Sequence, residues 1–585
     1  SDQRLTVPLV DGQEASWGEA LDKVATGFSA LRDSEGGKAL AGLASPHLTN
    51  EENYLFQKLF RVALASNTID SEARFTSLRA AKILNAQLKL SGASNPLDRV
   101  GTAEAVLVLG ADLRSESPAL NWQVQLAARK RDARLVVANA RRVKLVRQAE
   151  SFLQYRPGSE AFLAGALAKL LVDKGQADKD FLSRCVVNRD ELEAYLSQFD
   201  LDAACSATGV SREQLEAAAD HLGAATSVAI VFGRDVMGSA QAEAAVAAIA
   251  NLALVTGALH GDQGGLFPVA AKGNTQGLID AGVAPEFLPG LQDYAVARES
   301  FAAAWHCSLP EGGADAVAIL EGIEQGGIKG LYLAGTNPLV AFPESARWRK
   351  ALEKLDLLVV QDILASDLTG LATVVLPGAA SAEKRGSVTA MDQRVNKLRI
   401  AVAPPGQARP DLAIISDLFA RLTGKPEPSE HVIRQEMMDL SGQYTDVCQA
   451  LEKVDCCWKQ AYTPADKSLT AATPELVVPD AADLKLLLSK CPFQFGTTTT
   501  YSAANNELAP EGLVLISPDD ASKLGVDNGS QLNITGPVGS ARGKVMVHDM
   551  MPSGLIAASD NFAAMNVQQI MPSGHNCVAV TAAKG

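Results

Sequence analysis

The chain has 585 residues, 47% of them hydrophobic and 21% charged, with a formal net charge of -14. That length accommodates about three or four domains, and the composition supports large buried cores rather than disorder. The acidic balance argues against a nucleic-acid-binding surface and favours a soluble protein, or one docked to other protein subunits. No window holds the roughly 18 consecutive apolar residues of a membrane-spanning helix. The opening residues form no apolar signal core, and the abrupt start reads as if another domain precedes it. Any membrane link is expected to run through partners, with the chain cytoplasmic or held at the cytoplasmic face of a membrane.

In chain order, helical spacing first appears over residues 50–65, where Tyr54, Leu55, Leu59 and Val62 share a face. Thr49 is placed to cap that helix, with Glu52 three residues on as the capping-box partner. Short apolar runs follow at Ala105–Gly110, Arg134–Asn139, Val228–Gly233, Gly330–Gly335 and Leu357–Asp362. Each reads as a strand buried on both faces. Helical stretches lie between them, among them Glu160–Lys174, which opens after Arg156–Ser159, and the alanine-rich Ser239–Gly257. This alternation predicts an α/β fold of parallel sheets with crossover helices.

The texture changes near Gly424–Pro428. Helical signals continue to about residue 474, and short strands separated by turns fill the remainder, as in a compact β domain of barrel type. The expected organisation is a discontinuous α/β domain from 1–100 and 328–425 and an inserted Rossmann-like domain over 101–327. A helical connection over 426–474 and a β domain over 475–585 complete it.

The 8 cysteines are Cys185, Cys205, Cys307, Cys448, Cys456, Cys457, Cys491 and Cys577. None forms C-x-x-C, the close pairing usual at iron–sulfur and zinc sites, so no cluster or metal is expected on them. The 7 histidines show no metal-binding spacing. Neither G-x-G-x-x-G nor a P-loop occurs at the strand ends, and no G-x-S-x-G elbow is present.

Candidate ligand positions therefore come from strand ends, where open α/β sheets bind their ligands. They are Gly110, Asp112 and Glu116 after one strand, Asn139 and Arg141 after the next, and Gly335 and Asn337 after a later one. Thr498, in the Gly496–Ser502 loop, joins them. Glycine admits a ligand close to the backbone; Asn, Asp and Arg can bond a base edge or phosphate.

Several segments, in order, resemble the molybdopterin oxidoreductase family. They are Thr49–Arg61 (TNEENYLFQKLFR), Val106–Pro118, Arg134–Arg142, Arg156–Leu167, Gly273–Gly282, Leu331–Leu339 and Val374–Asn396, and the tail Ser517–Val545 is similar to the family's dinucleotide-binding β domain. The resemblance implies that the candidate loops are relics of a site for pterin guanine dinucleotides carrying molybdenum or tungsten. It also shows departures. Thr76 stands where formate dehydrogenases place a Cys or selenocysteine metal ligand, and Ser77 where the following His stands. Ala270 replaces an arginine expected before the N-x-Q-G stretch, and Asn139 replaces an acid ending the second strand. A neutral hydroxyl is a poor substitute for a soft thiolate.

One branch of that family accommodates such losses, the large G subunits of NADH–quinone oxidoreductase (respiratory complex I). The expectation is thus a scaffold body in a multi-subunit redox complex, without catalytic residues of its own, binding no cofactor and surrounded by protein subunits. A 4Fe-4S cluster is expected only in a preceding segment or a partner. The alternative is a molybdenum or tungsten bis-pterin enzyme such as a formate dehydrogenase, which would take molybdopterin guanine dinucleotide. Asp112 and Glu116 in the relic cavity are expected to repel a phosphate-rich ligand.

Overall fold

The structure, a computed structural model, describes residues 3–444, 447–459 and 462–585. The chain divides into two compact units, each built from two stretches: Ser1–Arg74 with Lys272–Gln460, and Phe75–Ala271 with Ala461–Gly585.

The first unit is organised on a seven-stranded sheet. Five strands run parallel, in the order Val374–Pro377, Leu357–Asp362, Gly330–Ala334, Leu40–Ala44 and Ile69–Ser71. The antiparallel pair Leu9–Val10 and Gln13–Glu14 extends one edge. Residues from before Arg74 and after Lys272 therefore share one sheet. The rings of Phe28, Phe56, Phe60 and Tyr332 pack together over it. Phe60 lies so close to the strand that a Cβ at Gly42 would stand 2.5 Å from its ring, so this position has no room for a side chain. The helix Asn50–Lys58 carries the expected capping box between Thr49 and Glu52. It passes into a π turn over Leu59–Ala63.

The second unit holds a five-stranded parallel sheet in the order Ser151–Gln154, Arg134–Asn139, Ala105–Leu109, Val228–Phe232 and Gly265–Pro268. The helices Glu160–Asp173 and Ala242–Val255 pack on each other and are buried along most of their length. Such all-round burial explains why alanine and leucine dominate both rather than one stripe. The same unit ends in a curled sheet of seven strands with mixed pairing. Its own core includes Leu486, Leu488, Val514, Ile516, Leu532 and Ile556. The α/β class with parallel sheets and a C-terminal β domain is thus as expected.

The chain enters the second unit at Phe75 and leaves it after Ala271, whereas the sequence reading put the insertion at 101–327. Packing accounts for the difference. The helix Ser77–Leu88 lies against Ala242–Val255. The stretch after Lys272 is held by Arg61, which donates to the carbonyls of Gly282 (3.1 Å), Ala284 (2.9 Å) and Phe287 (2.7 Å). The helices Glu430–Ser441 and Val447–Lys453 belong to the first unit, and the β domain's first strand begins at Lys485.

Candidate functional site

In the five-stranded sheet the strand order reverses between Ala105–Leu109 and Val228–Phe232. From the first, the chain steps outward to Arg134–Asn139 and Ser151–Gln154; from the second, it steps the other way to Gly265–Pro268. Beyond the carboxyl ends of two such strands a crevice opens that commonly holds a ligand. Its walls here are the loops Gly110–Glu116 and Gly233–Gly238.

Gly110 has φ +61°, and a Cβ there would approach Val236 Cγ2 to 2.9 Å and Tyr155 Oη to 3.0 Å. Both the turn and the close approach require glycine. Glu116 joins the two walls. One oxygen accepts from the Asp112 backbone N–H at 2.8 Å, the other from that of Arg234 at 3.3 Å. Burial pushes the Glu116 carboxyl up. Asp112 accepts from Arg141 Nη2 at 2.8 Å. Asn139 donates to the Ala111 carbonyl at 3.3 Å and accepts from the Arg141 backbone N–H at 3.1 Å. The named side chains are thus gathered, but mostly bonded to one another. The expected repulsion of phosphate loses its basis, because Asp112 is paired with a guanidinium and Glu116 is occupied by backbone donors.

Around the Gly233–Gly238 loop lie groups the sequence reading did not single out. Arg234 Nη2 donates to Asp560 at 2.7 Å, and Lys490 donates to the same carboxylate at 2.8 Å. Burial opposes ionisation of Asp560, but the two cations outweigh it and hold the carboxyl well below its usual range. Asn576 donates to the carbonyls of Arg234 (3.0 Å) and Asp235 (3.1 Å). Asp235 is pushed far up by burial and by the neighbouring Glu116. Burial also pushes Glu160 up to about 7 and the Cys577 thiol up to about 12. Tyr155 Oη, Glu160 Oε2, Arg234 Nη1 and Asn576 Oδ1 are buried without a hydrogen-bond partner. Such orphans are rare in folded proteins and commonly mark a ligand or water position. Both donors and acceptors are among them, which suits a heteroaromatic base better than a bare anion.

The first unit repeats the arrangement. Its strand order reverses between Leu40–Ala44 and Gly330–Ala334, and the loops there are Ser45–His47 and Gly335–Asn337. Gly335 has φ +67°. Asn337 accepts from the Leu339 backbone N–H at 3.0 Å, opening the short helix Pro338–Ala341. Thr336 Oγ1 is buried and unpartnered. Lys272 Nζ lies 2.7 Å and 3.0 Å from the two oxygens of Glu72 and 3.2 Å from His47 Nε2. His47 is exposed, and the Lys272 charge beside it disfavours a second positive charge and pulls the imidazole down. Behind it, the buried Lys384 bridges Glu52 and Asp411, each at 2.8 Å.

Thr498 is exposed within a 3-10 turn over Thr497–Tyr501. Thr76 is half-buried at the N-cap of Ser77–Leu88, with φ -149° and ψ -93°, and its side chain caps nothing. Ala270 is half-buried. Among the described residues no three His, Cys, Asp or Glu side chains converge as a metal site, and the side chain of Cys448 lies outside the described set. No described helix is long and apolar enough to cross a membrane.

Comparison with known proteins fits this architecture. The NADPH-Fe(3+) oxidoreductase subunit alpha of Geobacter sulfurreducens is 39% identical over the whole chain, which covers 68% of that protein. The F420-dependent formate dehydrogenase subunit alpha of Methanocaldococcus jannaschii is 28% identical over 97% of the chain and 88% of the relative. The second G subunit of the NADH-quinone oxidoreductase of Rhizobium meliloti is 29% identical over 98% of the chain and 66% of the relative. The G subunits are therefore one kind of relative among several. Acetylene hydratase from Pelobacter acetylenicus shares the fold, with a TM-score of 0.80 at 16% identity, covering 100% of this chain and 92% of that one. Residues 4–421 match the molybdopterin oxidoreductase model and residues 486–585 the molydopterin dinucleotide binding domain. The chain belongs to the molybdopterin oxidoreductase family.

Proposed function

We propose that this chain is the body of a multi-subunit redox complex of the NAD(P)H-oxidising kind, most like the complex I G subunit, and that it acts as a scaffold without molybdenum or tungsten chemistry. The observation that carries this reading is the chemistry at Thr76. The family resemblance puts the metal-ligating side chain there, and the chain supplies a threonine hydroxyl, which stays protonated near neutral pH and is a poor donor to a soft metal centre. Ala270, in the place of the substrate-steering arginine, can neither pair with a carboxylate nor donate to it. The residues present do not fit the metal, and no reaction step is assigned to it.

The dinucleotide end of the family's cofactor fits better. In the second unit, Tyr155, Glu160, Arg234 and Asn576 offer unpartnered buried atoms of both hydrogen-bonding senses. They would hold a purine base by its edge, and a pterin dinucleotide bound so would serve as a structural ligand. Membership of a complex is supported by the names of two relatives, one an alpha subunit and the other a G subunit.

A second reading, a molybdenum or tungsten enzyme acting on formate, is favoured by the formate dehydrogenase relative. Elemental analysis of the purified chain, with formate-dependent dye reduction, separates the two. The scaffold reading expects neither stoichiometric molybdenum or tungsten nor turnover. Stoichiometric metal, with turnover abolished by Thr76→Ala, would establish the enzyme instead.

A further inference from the structure

The chain is acidic as a whole, with 67 Asp and Glu against 53 Lys and Arg. The stretch Asp112–Glu150 reverses that balance, with nine basic residues against four acidic ones. Two of the four, Asp112 and Glu116, are taken up inside the crevice, and Glu150 lies beside His221. Of the basic residues, Arg141 is buried against Asp112, and most of the others face outward. Arg129, Lys130, Arg131, Lys144 and Arg147 are all exposed, and none makes an ion pair among the described residues.

The same stretch carries an aromatic side chain out of place on a solvated helix. Trp122 is 65% exposed. It sits on the helix Pro118–Lys130, whose buried side is formed by Leu120, Val124 and Ala127. Arg129 follows Trp122 by seven residues, two helical turns, so the two share the outer face about 10 Å apart. The 3-10 turn Lys144–Gln148, which carries Lys144 and Arg147, packs beside the same helix. An exposed tryptophan on one helix face with an unpaired arginine has the composition of an interface centre. Unpaired charges of one sign on a protein of the other sign select a complementary partner.

We propose that the outer face of Pro118–Lys130 and Lys144–Gln148 is a docking surface for an acidic protein surface of a partner subunit, with Trp122 as its apolar anchor. The proposal rests on the reading of this chain as a subunit. Two experiments test it. In the first, fluorescently labelled poly-L-glutamate is titrated into the full chain. Binding weakens with added salt, and the charge reversal Arg129→Glu/Lys130→Glu/Arg147→Glu weakens it about tenfold with an unchanged melting curve. Equal binding by the reversed variant, or tighter binding of single-stranded DNA through the same residues, overturns the proposal.

In the second, p-benzoylphenylalanine replaces Trp122 in the complex purified from its host. The expected cross-link runs to a stoichiometric partner subunit, within a segment rich in Asp and Glu. A cross-link to a second copy of this chain, to a segment without acids, or to nothing overturns it. Wild-type chain that purifies without any partner sinks the subunit reading as well. A partner retained equally by wild type and the charge-reversed variant sinks the docking face alone.

Discussion

Replacing Glu160 by glutamine isolates the energetic cost of the second unit's crevice. Glu160 is buried at the start of a helix, with one oxygen accepting from the Gly158 backbone N–H at 3.0 Å and the other unpartnered. Burial raises its carboxyl from 4.5 to about 7. In the unfolded chain the group loses its proton near the lower value, and in the folded chain near the higher one. Between the two, the folded state binds more protons than the unfolded state, so stability falls as pH rises through this window and levels off above it. At 1.36 kcal/mol for each pKa unit, the loss reaches about 3 kcal/mol above neutrality. Glutamine retains the acceptor for Gly158 and carries no charge to bury. Urea unfolding followed by circular dichroism should show Glu160→Gln close to wild type at about pH 5 and more stable by up to about 3 kcal/mol at about pH 8.5. Equal stability differences at the two pH values would show that Glu160 is solvated or partnered in the folded protein, and the account of the crevice would fail.

Two further substitutions test how the first unit is held. Lys384→Met leaves the buried carboxylates of Glu52 and Asp411 facing each other without a cation; a loss of about 3–5 kcal/mol is expected in thermal or urea unfolding near neutral pH, and a loss below about 1 kcal/mol would show the triad to be hydrated. Arg61→Met removes the donors to Gln57, Asn67 and three carbonyls of residues 282–287, all buried. A loss of about 3 kcal/mol, with early protease cleavage near Gly282, is the expected outcome, and an unchanged cleavage pattern would refute the anchoring role.

The strands were legible in the sequence where burial on both faces forces a continuous apolar run, as at Ala105–Leu109 and Leu357–Val360. The Thr49–Glu52 cap was legible because it is a contact three residues apart. Leu40–Ala44 was not, since LAGLA carries no β-branched residue; its glycine answers to Phe60, a contact only the fold creates. The crevices were half legible. Gly110 and Gly335 mark one wall of each as glycines that end apolar runs. Gly233–Asp235 and Ser45–His47, the opposite walls, depend on which strands become neighbours. Residues 109 and 232, or 43 and 333, meet through sheet order, and no local pattern encodes it. Glu160 was hidden for a different reason. An acid in the first turn of a helix normally serves the helix dipole at the surface, and nothing in its neighbours announces that this one is buried.

Under the proposed scaffold role, the same contacts explain how a fold of this family would persist without metal chemistry. A ligand-binding crevice that relied on its ligand to satisfy polar groups would lose stability once the ligand was lost. Here Glu116 ties Asp112 to Arg234, Asp112 holds Arg141, and Asn139 fixes both Ala111 and Arg141. In the first unit, Glu72 and His47 engage Lys272. Charges that could face a cofactor are matched internally, so the strand-end loops keep their geometry on protein contacts alone. Among the buried side-chain atoms that still lack partners are those of Tyr155, Glu160, Arg234 and Asn576 in the second unit and Thr336 in the first. If the crevice of the second unit had become purely structural, removing an orphaned atom whose side chain makes no other hydrogen bond would be neutral or stabilising, because an unsatisfied buried polar group costs about 1–3 kcal/mol. Tyr155→Phe is the cleanest of these changes: it removes one orphaned hydroxyl and leaves the ring packing in place. A more stable variant would mark the hydroxyl as a relic, and a less stable one would show that it bonds a resident ligand or water in the native protein.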